Sequence, residues 1–289
     1  MTKKTFTLGA VAYAPKVVTI WEGFREYFLR HEFNFDYILF SNYETQVEAL
    51  LGGTIDAAWN SPLAHLRSQR MARAQGINLG IGPMRDSDQD LSSVLVVKNS
   101  SPLQSTTQLR GRTIGFGAVD SPQARLIPLD FLRQSGLTDK PNGQLDFQAR
   151  NFDLLVGKHG DHIGGERDAA VALINGEVEA AWMIDSNYQA FASEGTLPSG
   201  ETRILCRTNP FDHCIFTISA ATDAETTKRF SQILLDMKWS NPEVRPLLEL
   251  EGLKEWRAGR ESGFSQLERA IDSEQFYATD GTLLEKNRS

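Results

Sequence analysis

What most limits the folds open to this chain is a phrase it uses twice. Val47 to Trp59 reads VEALLGGTIDAAW, and Ala170 to Trp182 reads AVALINGEVEAAW. Each copy is a helical segment stopped by glycine, then an acidic residue, then a strand of small residues ending in tryptophan. Apolar runs alternate with segments of helical period along the rest of the chain as well, which is the pattern of βαβ units around mainly parallel sheets. The two copies lie too far apart for a solenoid and at a separation that suits two similar lobes.

The other elements follow the same alternation. Strands are expected at Phe6–Ala12, Phe35–Phe40, Ile55–Trp59 and Ile77–Ile81, with helices at Lys16–Arg30, Tyr43–Leu51 and Leu63–Ala74, the last led by Pro62 in its first turn. After the polar stretch Arg85–Asp90, the β-rich run Ser93–Lys98 suits a crossing between lobes, and the cycle restarts. Strands are expected at Arg112–Phe116, Leu145–Arg150 and Val178–Met183, helices at Pro122–Ser135 and Asp168–Asn175. Arg203–Cys206 is expected to return to the first lobe, Cys214–Ser219 to form a strand, and Thr222–Trp239 and Glu243–Leu250 to be helical. The expected organisation is α/β with two lobes, 1–92 plus 208–289 and 93–207, hinged near Leu91–Lys98 and Arg203–Thr208 around an interlobe cleft.

Composition narrows the function. Thirty Lys and Arg against 37 Asp and Glu give a net charge of −7, so the basic face that nucleic acid requires is not expected. The two cysteines, Cys206 and Cys214, support neither a disulfide framework nor a thiolate-rich metal site, and no metal or cofactor is expected. No apolar run reaches the roughly 18 residues of a membrane span. The start, MTKKTFTLGAVAYAP, has no apolar signal core and reads directly into a strand, so the chain as given reads as cytoplasmic, or as periplasmic had a signal been removed. Walker, GxGxxG, GxSxG and HExxH motifs do not occur.

In open α/β sheets ligands collect at the carboxyl ends of strands, where helix starts present N–H groups and positive potential. The turns after the two AAW strands, Asn60-Ser61-Pro62 and Asp185-Ser186-Asn187, are therefore candidate binding turns, as is Gly117–Pro122 with Ser121 and the adjacent Gln123. Helix capping explains each turn taken alone. Should the chain be an enzyme, His65, His162 and His213 are the candidate acids or bases. His159-Gly160-Asp161-His162 reads as a surface loop. His213 and Cys214, adjacent on an expected strand, should point to opposite faces and so make no catalytic pair. Trp59 reads as core or as a stacking platform, and Arg67, Arg70 and Arg73 as a charged helix surface.

Several phrases in order resemble a known family. They are Tyr43-Glu44 through Gly53-Thr54-Ile55-Asp56-Ala57-Ala58-Trp59, Leu95-Val96-Val97-Lys98-Asn99-Ser100-Ser101 with Leu109–Phe116, and Gly164-Gly165-Glu166-Arg167-Asp168-Ala169-Ala170-Val171 with Asn175–Ala181. They are similar to the phosphate and phosphonate substrate-binding components of ABC transporters, which have the type II periplasmic-binding-protein fold. The resemblance places Tyr43, Ser121, Arg167 and Asp185 at binding turns. The family's phosphonate binders carry a Ser-Thr-Ser type run where this chain has Asp120-Ser121-Pro122-Gln123, and commonly Ser-His where it has Glu166-Arg167. It implies a protein that closes on a small anionic or polar molecule and hands it to a membrane permease, with Arg167 available as a bidentate fork. The alternative is a cytoplasmic enzyme using the same cleft, a decarboxylase or lyase of small carboxylic acids.

Overall fold

The acidic residue of the repeated phrase plays the same part in both copies. In the computed structural model, which describes residues 4–137, 145–152 and 162–284, the Asp56 N–H donates to Thr7 O at 2.8 Å and the Asp56 carboxylate accepts the Thr7 N–H at 2.9 Å. Glu179 N–H donates to Thr113 O at 2.8 Å, and the Glu179 carboxylate accepts the Thr113 N–H at 3.0 Å. Each clamp fixes a parallel register, Leu8 opposite Ala57 in one sheet and Ile114 opposite Ala180 in the other.

In chain order the elements are β1 (Phe6–Val11), α1 (Lys16–Arg30), β2 (Phe35–Phe40), α2 (Tyr43–Leu51), β3 (Ala57–Asn60), α3 (Pro62–Ala74), β4 (Gly80–Ile81) and β5 (Met84–Arg85). Then come β6 (Ser93–Lys98), β7 (Thr113–Phe116), α4 (Ile127–Gln134), β8 (Gln148–Asn151), α5 (His162–Asn175), β9 (Ala180–Ile184), α6 (Asp185–Glu194) and β10 (Thr202–Arg207). The chain ends with β11 (Ile215–Ile218), α7 (Ala224–Leu235), α8 (Arg245–Glu251), β12 (Trp256–Arg257) and α9 (Ser265–Ser273). Two compact units result, one of residues 1–90, 212–265 and 275–289, the other of 91–211 and 266–274.

The sheet of the first unit runs β2-β1-β3-β11-β4, with β1, β2 and β3 parallel and β11 antiparallel to β3. One face carries Leu8, Ala10, Trp59, Phe216 and the ring cluster Phe6, Phe28, Phe35 and Phe230; Leu50, Ile55 and Ala58 pack on the other. The sheet of the second unit runs β10-β6-β9-β7-β8, with β7, β8 and β9 parallel. Leu95, Val97, Ile114 and Trp182 point to one core while Val94, Val96, Ala181 and Met183 point to another, which is why β6 and β9 read as unbroken apolar runs.

Several expectations are corrected. The strand at 203–206 does not return to the first unit: β10 pairs antiparallel with β6 in the second sheet. The helix expected from Pro122 begins as a π-helical turn, Pro122–Leu126, before α4. The segment 266–274 clusters with the second unit because Gln266 donates to the carbonyls of Asn209 and Pro210 (3.0 and 2.7 Å), and Arg133 pairs with Glu274. Arg70 is no surface residue; it is 4% exposed and Nη1 donates to Ala278 O at 3.4 Å. No helix among the described residues is long and apolar enough to cross a membrane.

Candidate functional site

In the first unit the parallel registers bring the ends of three strands, Val11, Phe40 and Asn60, to one edge. Each is followed within a few residues by a helix start: α1 at Lys16, α2 at Tyr43 and α3 at Pro62. The antiparallel pairing of Ile215 with Asn60 carries His213 and Cys214 to the same edge. The sequence places helix starts there because Asn42 caps α2 through the Thr45 N–H (2.9 Å) and Ser61 caps α3 through the Ala64 N–H (3.3 Å), with Pro62 preset for the first helical position.

Tyr43 and Ser61 meet: their hydroxyls share a hydrogen bond, and burial pushes the Tyr43 phenol up from its ordinary value. Asn60 lies beneath them and is fully buried. Its Oδ1 accepts from Gln46 Nε2 (2.8 Å) and its Nδ2 donates to Thr217 Oγ1 (2.9 Å), so it braces the turn from inside. His65 faces the core, with Nδ1 2.9 Å from Thr217 Oγ1 and its ring 4.8 Å from Phe264; burial holds it down at about 4. Trp59 packs on Phe216 and Trp256 as core.

Lys16, which the sequence reading passed over, stands exposed at the first position of α1, its ammonium 5.9 Å from the centre of the exposed Tyr13 ring. It has no ion-pair partner among the described residues, and the first turn of α1 contains no acidic side chain. A cation at the positive end of a helix dipole is unfavourable by itself, and an anion bound there relieves it. The signal that could have marked it is a lysine directly after Pro15 in a strand-to-helix turn.

Beside this edge Arg85 stacks on Trp59, with its guanidinium 5.3 Å from the ring centre, and grips Asp88 through Nε (2.5 Å) and Nη2 (3.1 Å). It also donates to Glu251 O at 2.8 Å. Burial pushes the Asp88 carboxyl up, but Arg85 and then His213 override it and hold it at about 2. Glu251 is pushed up to about 7 by burial, which Arg85 only partly offsets. His213 Nδ1 lies 3.1 Å from Cys214 Sγ, contrary to the expected opposite-face arrangement, because both residues precede β11 and strand alternation does not govern them. Burial, then Asp88, push the Cys214 thiol well above its ordinary value, so it is no ready nucleophile.

In the second unit, Phe116, Asn151 and Trp182 share one level of the sheet. Ser121, fully buried, caps the π-helical turn through the Ala124 N–H (3.1 Å). Gln123 and Glu166 come together: the wholly buried Glu166 carboxylate accepts from Gln123 Nε2 (3.1 Å), from the Ile184 N–H (2.8 Å) and from Asn187 Nδ2 (2.8 Å). The chain's own carboxylate thus takes donors at the start of α6. Gly165 lets α5 lie close against the Phe152 backbone, since a Cβ there would lie 2.2 Å from Phe152 O. Arg167 is engaged elsewhere, in an ion pair with Glu194, a bond to Thr196 Oγ1 (3.1 Å) and a stack 4.6 Å from the Phe191 ring centre. Asp185 pairs with Arg207 at 2.9 Å, and Ser186 is exposed. His159 falls outside the described residues; His162 opens α5, and its side chain is likewise outside them.

Residues 10–264 match a family model described as ABC transporter, phosphonate, periplasmic substrate-binding protein. A probable ABC transporter phosphite-binding protein, PhnD1 of Prochlorococcus marinus, is 29% identical over 145 residues, an alignment spanning 48% of this chain and 43% of that protein. The structure of PhnD1 with methylphosphonate is similar at a TM-score of 0.65 and 17% identity, covering 94% of this chain and 98% of the other. XAC2383 from Xanthomonas citri bound to ATP gives 0.67 and 15%, with 94% and 97% covered. The aliphatic sulphonate-binding protein SsuA of Escherichia coli gives 0.57 and 17%, with 95% and 88% covered. These structures share the type II periplasmic-binding-protein fold with this chain.

Proposed function

The chain belongs to the family of periplasmic substrate-binding proteins of phosphonate ABC transporters, and on that premise we propose that it binds a small phosphonate-like oxyanion at the strand-carboxyl edge of its first unit. The observation that carries this is the alignment of three strand ends, each followed by a helix start, with Lys16 unpaired among the described residues at the first of them. Backbone N–H groups and the dipoles of α1, α2 and α3 supply positive potential, Lys16 adds a full charge, and Tyr43 and Ser61 supply hydroxyls. The second unit contributes differently, because Glu166 already accepts from the Ile184 N–H and Asn187 Nδ2 beside the start of α6.

In this reading the protein is the periplasmic solute-binding component that hands its ligand to a membrane permease. A decarboxylase or lyase draws no support: the family is one of binding proteins, His65 is walled in by core, and the Cys214 thiol is held protonated. Methylphosphonate, phosphite, phosphate, an aliphatic sulphonate and ATP make the test panel, read by thermal shift, since a ligand that binds only the folded state raises the melting temperature. Tetrahedral phosphorus oxyanions are expected to raise it in the native protein and to do so less in Lys16→Ala. No shift with any of them at millimolar concentration sinks the proposal.

A further inference from the structure

Asp88, His213 and Cys214 bring a carboxylate, an imidazole and a thiol together, with one ligand atom of each within 4.8 Å of the others. His213 Nδ1 is 3.1 Å from Cys214 Sγ and 3.5 Å from Asp88 Oδ1. Ligands around a tetrahedral zinc, with bonds of about 2.0–2.3 Å, stand roughly 3.3–3.6 Å apart. The two distances that His213 makes are near that spacing before any metal enters.

The backbone holds it there. The His213 N–H donates to Asp88 O at 2.8 Å, so the turn containing Asp88 is tied to the residue that precedes Cys214. Arg85 clamps the carboxylate through Nε to Oδ2 (2.5 Å) and Nη2 to Oδ1 (3.1 Å), hydrogen-bonds Cys214 as well, and fixes both in the way outer-shell partners orient metal ligands. Asp88 Oδ1 also faces His213 Nδ1 at 3.5 Å, so a cation there takes the place of the proton that the two share. The guanidinium does not by itself forbid one. Asp88 and a Cys214 thiolate offset the dication between them, and Arg85 stands against Glu251 as well.

We infer that Asp88, His213 and Cys214 form a binding site for a divalent transition metal, with zinc the best fit to one sulfur, one nitrogen and one oxygen ligand. Coordination forms the metal–sulfur bond as the Cys214 thiol releases its proton to solvent; the metal keeps its oxidation state. Three protein ligands leave the fourth position to water or to an oxygen of a small anion. The site lies at the edge where Ile215 pairs with Asn60, next to the turn that carries Ser61. It stands independently of the oxyanion reading, because metal can be titrated with no oxyanion present.

Cobalt is the probe, because a thiolate ligand gives it a near-ultraviolet charge-transfer absorption. Titrating the full chain, kept reduced in a phosphate-free buffer, is expected to give that band with about one cobalt per chain and a Kd of about 10 µM or tighter, and zinc should abolish it. The band should vanish in Cys214→Ser and weaken at least tenfold in affinity in His213→Ala, while Cys206→Ser retains it. A second measurement avoids any folding defect in a variant: X-ray absorption at the zinc edge of the native protein loaded with one equivalent of zinc should show one sulfur among the ligands. No band in the native protein, a band that survives Cys214→Ser, or a zinc edge without a sulfur ligand would overturn the site.

Discussion

Consider Glu166→Ala beside Glu166→Gln. The first removes a wholly buried carboxylate that accepts from the Ile184 N–H, Asn187 Nδ2 and Gln123 Nε2 at 2.8–3.1 Å. Bonds to a charged acceptor contribute about 1.5–3 kcal/mol each, and a buried donor left without an acceptor costs about 1–3 kcal/mol. Asn187 is only half-buried and can turn to water, so Ile184 and Gln123 carry most of the loss, and Glu166→Ala is expected to destabilise by about 3–5 kcal/mol. Glu166→Gln keeps the shape and one acceptor oxygen. That oxygen can hold Ile184 and Asn187 while Gln123 turns its own amide to accept from the new NH₂ group, so chiefly the charge assistance is lost, about 1–2 kcal/mol. Hydrogen exchange read on peptides spanning β9 and α6 reports opening of the second unit directly and does not require the whole chain to unfold in one step. Equal losses in the two variants, or a Glu166→Ala protein within about 1 kcal/mol of the native one, would refute the reasoning.

Two further predictions concern stability. Burial lowers His65 from 6.5 to about 4, so its contribution is full above pH 6.5 and is lost, to about 3 kcal/mol, as pH falls toward 4. Burial raises Glu251 from 4.5 to about 7, so its contribution is present below pH 4.5 and lost as pH rises toward 7. The two slopes oppose each other between pH 4.5 and 6.5 and nearly cancel; in Glu251→Gln, denaturant unfolding should show stability rising with pH across that window, and a flat profile would contradict the burial of neutral His65. Gly165→Ala drives a Cβ against Phe152 O and should cost about 1–3 kcal/mol in the same assay, whereas a change under about 0.5 kcal/mol would mean α5 has room that the structure does not show.

The repeated phrase carried most of the fold, because a glycine stop, an acidic clamp and a run of small residues are all local signals. Asp56 and Glu179 announce the parallel pairs they register, and β6 and β9 announce two-sided burial by composition. What failed depended on distant partners. The segment of β10 has middling burial along nearly its whole length, and nothing local says that it pairs with β6. Arg70 sits three residues from both Arg67 and Arg73, a spacing that looks like a solvated face until Ala278 covers it. α9 and the Glu274 that follows it join the second unit through residues more than a hundred positions away, Asp130 and Arg133. At the site, the turns after the AAW strands were legible as helix starts, and Tyr43 and Ser61 do meet. That Arg167 is spent on Glu194 and Glu166 on Ile184 is a matter of which way each side chain of one helix faces, which α5, being weakly amphipathic, does not reveal in its sequence.

Calorimetric titration of methylphosphonate into the native protein, Lys16→Ala and Arg167→Ala tests the central claim most directly. If the oxyanion rests on the first unit's strand ends, loss of the Lys16 charge should weaken binding by about 5- to 30-fold, the equivalent of roughly 1–2 kcal/mol, and Arg167→Ala should leave it within about twofold of native. Binding that collapses in Arg167→Ala and is untouched in Lys16→Ala would contradict the account, placing the oxyanion on the second unit and requiring Arg167 to leave Glu194.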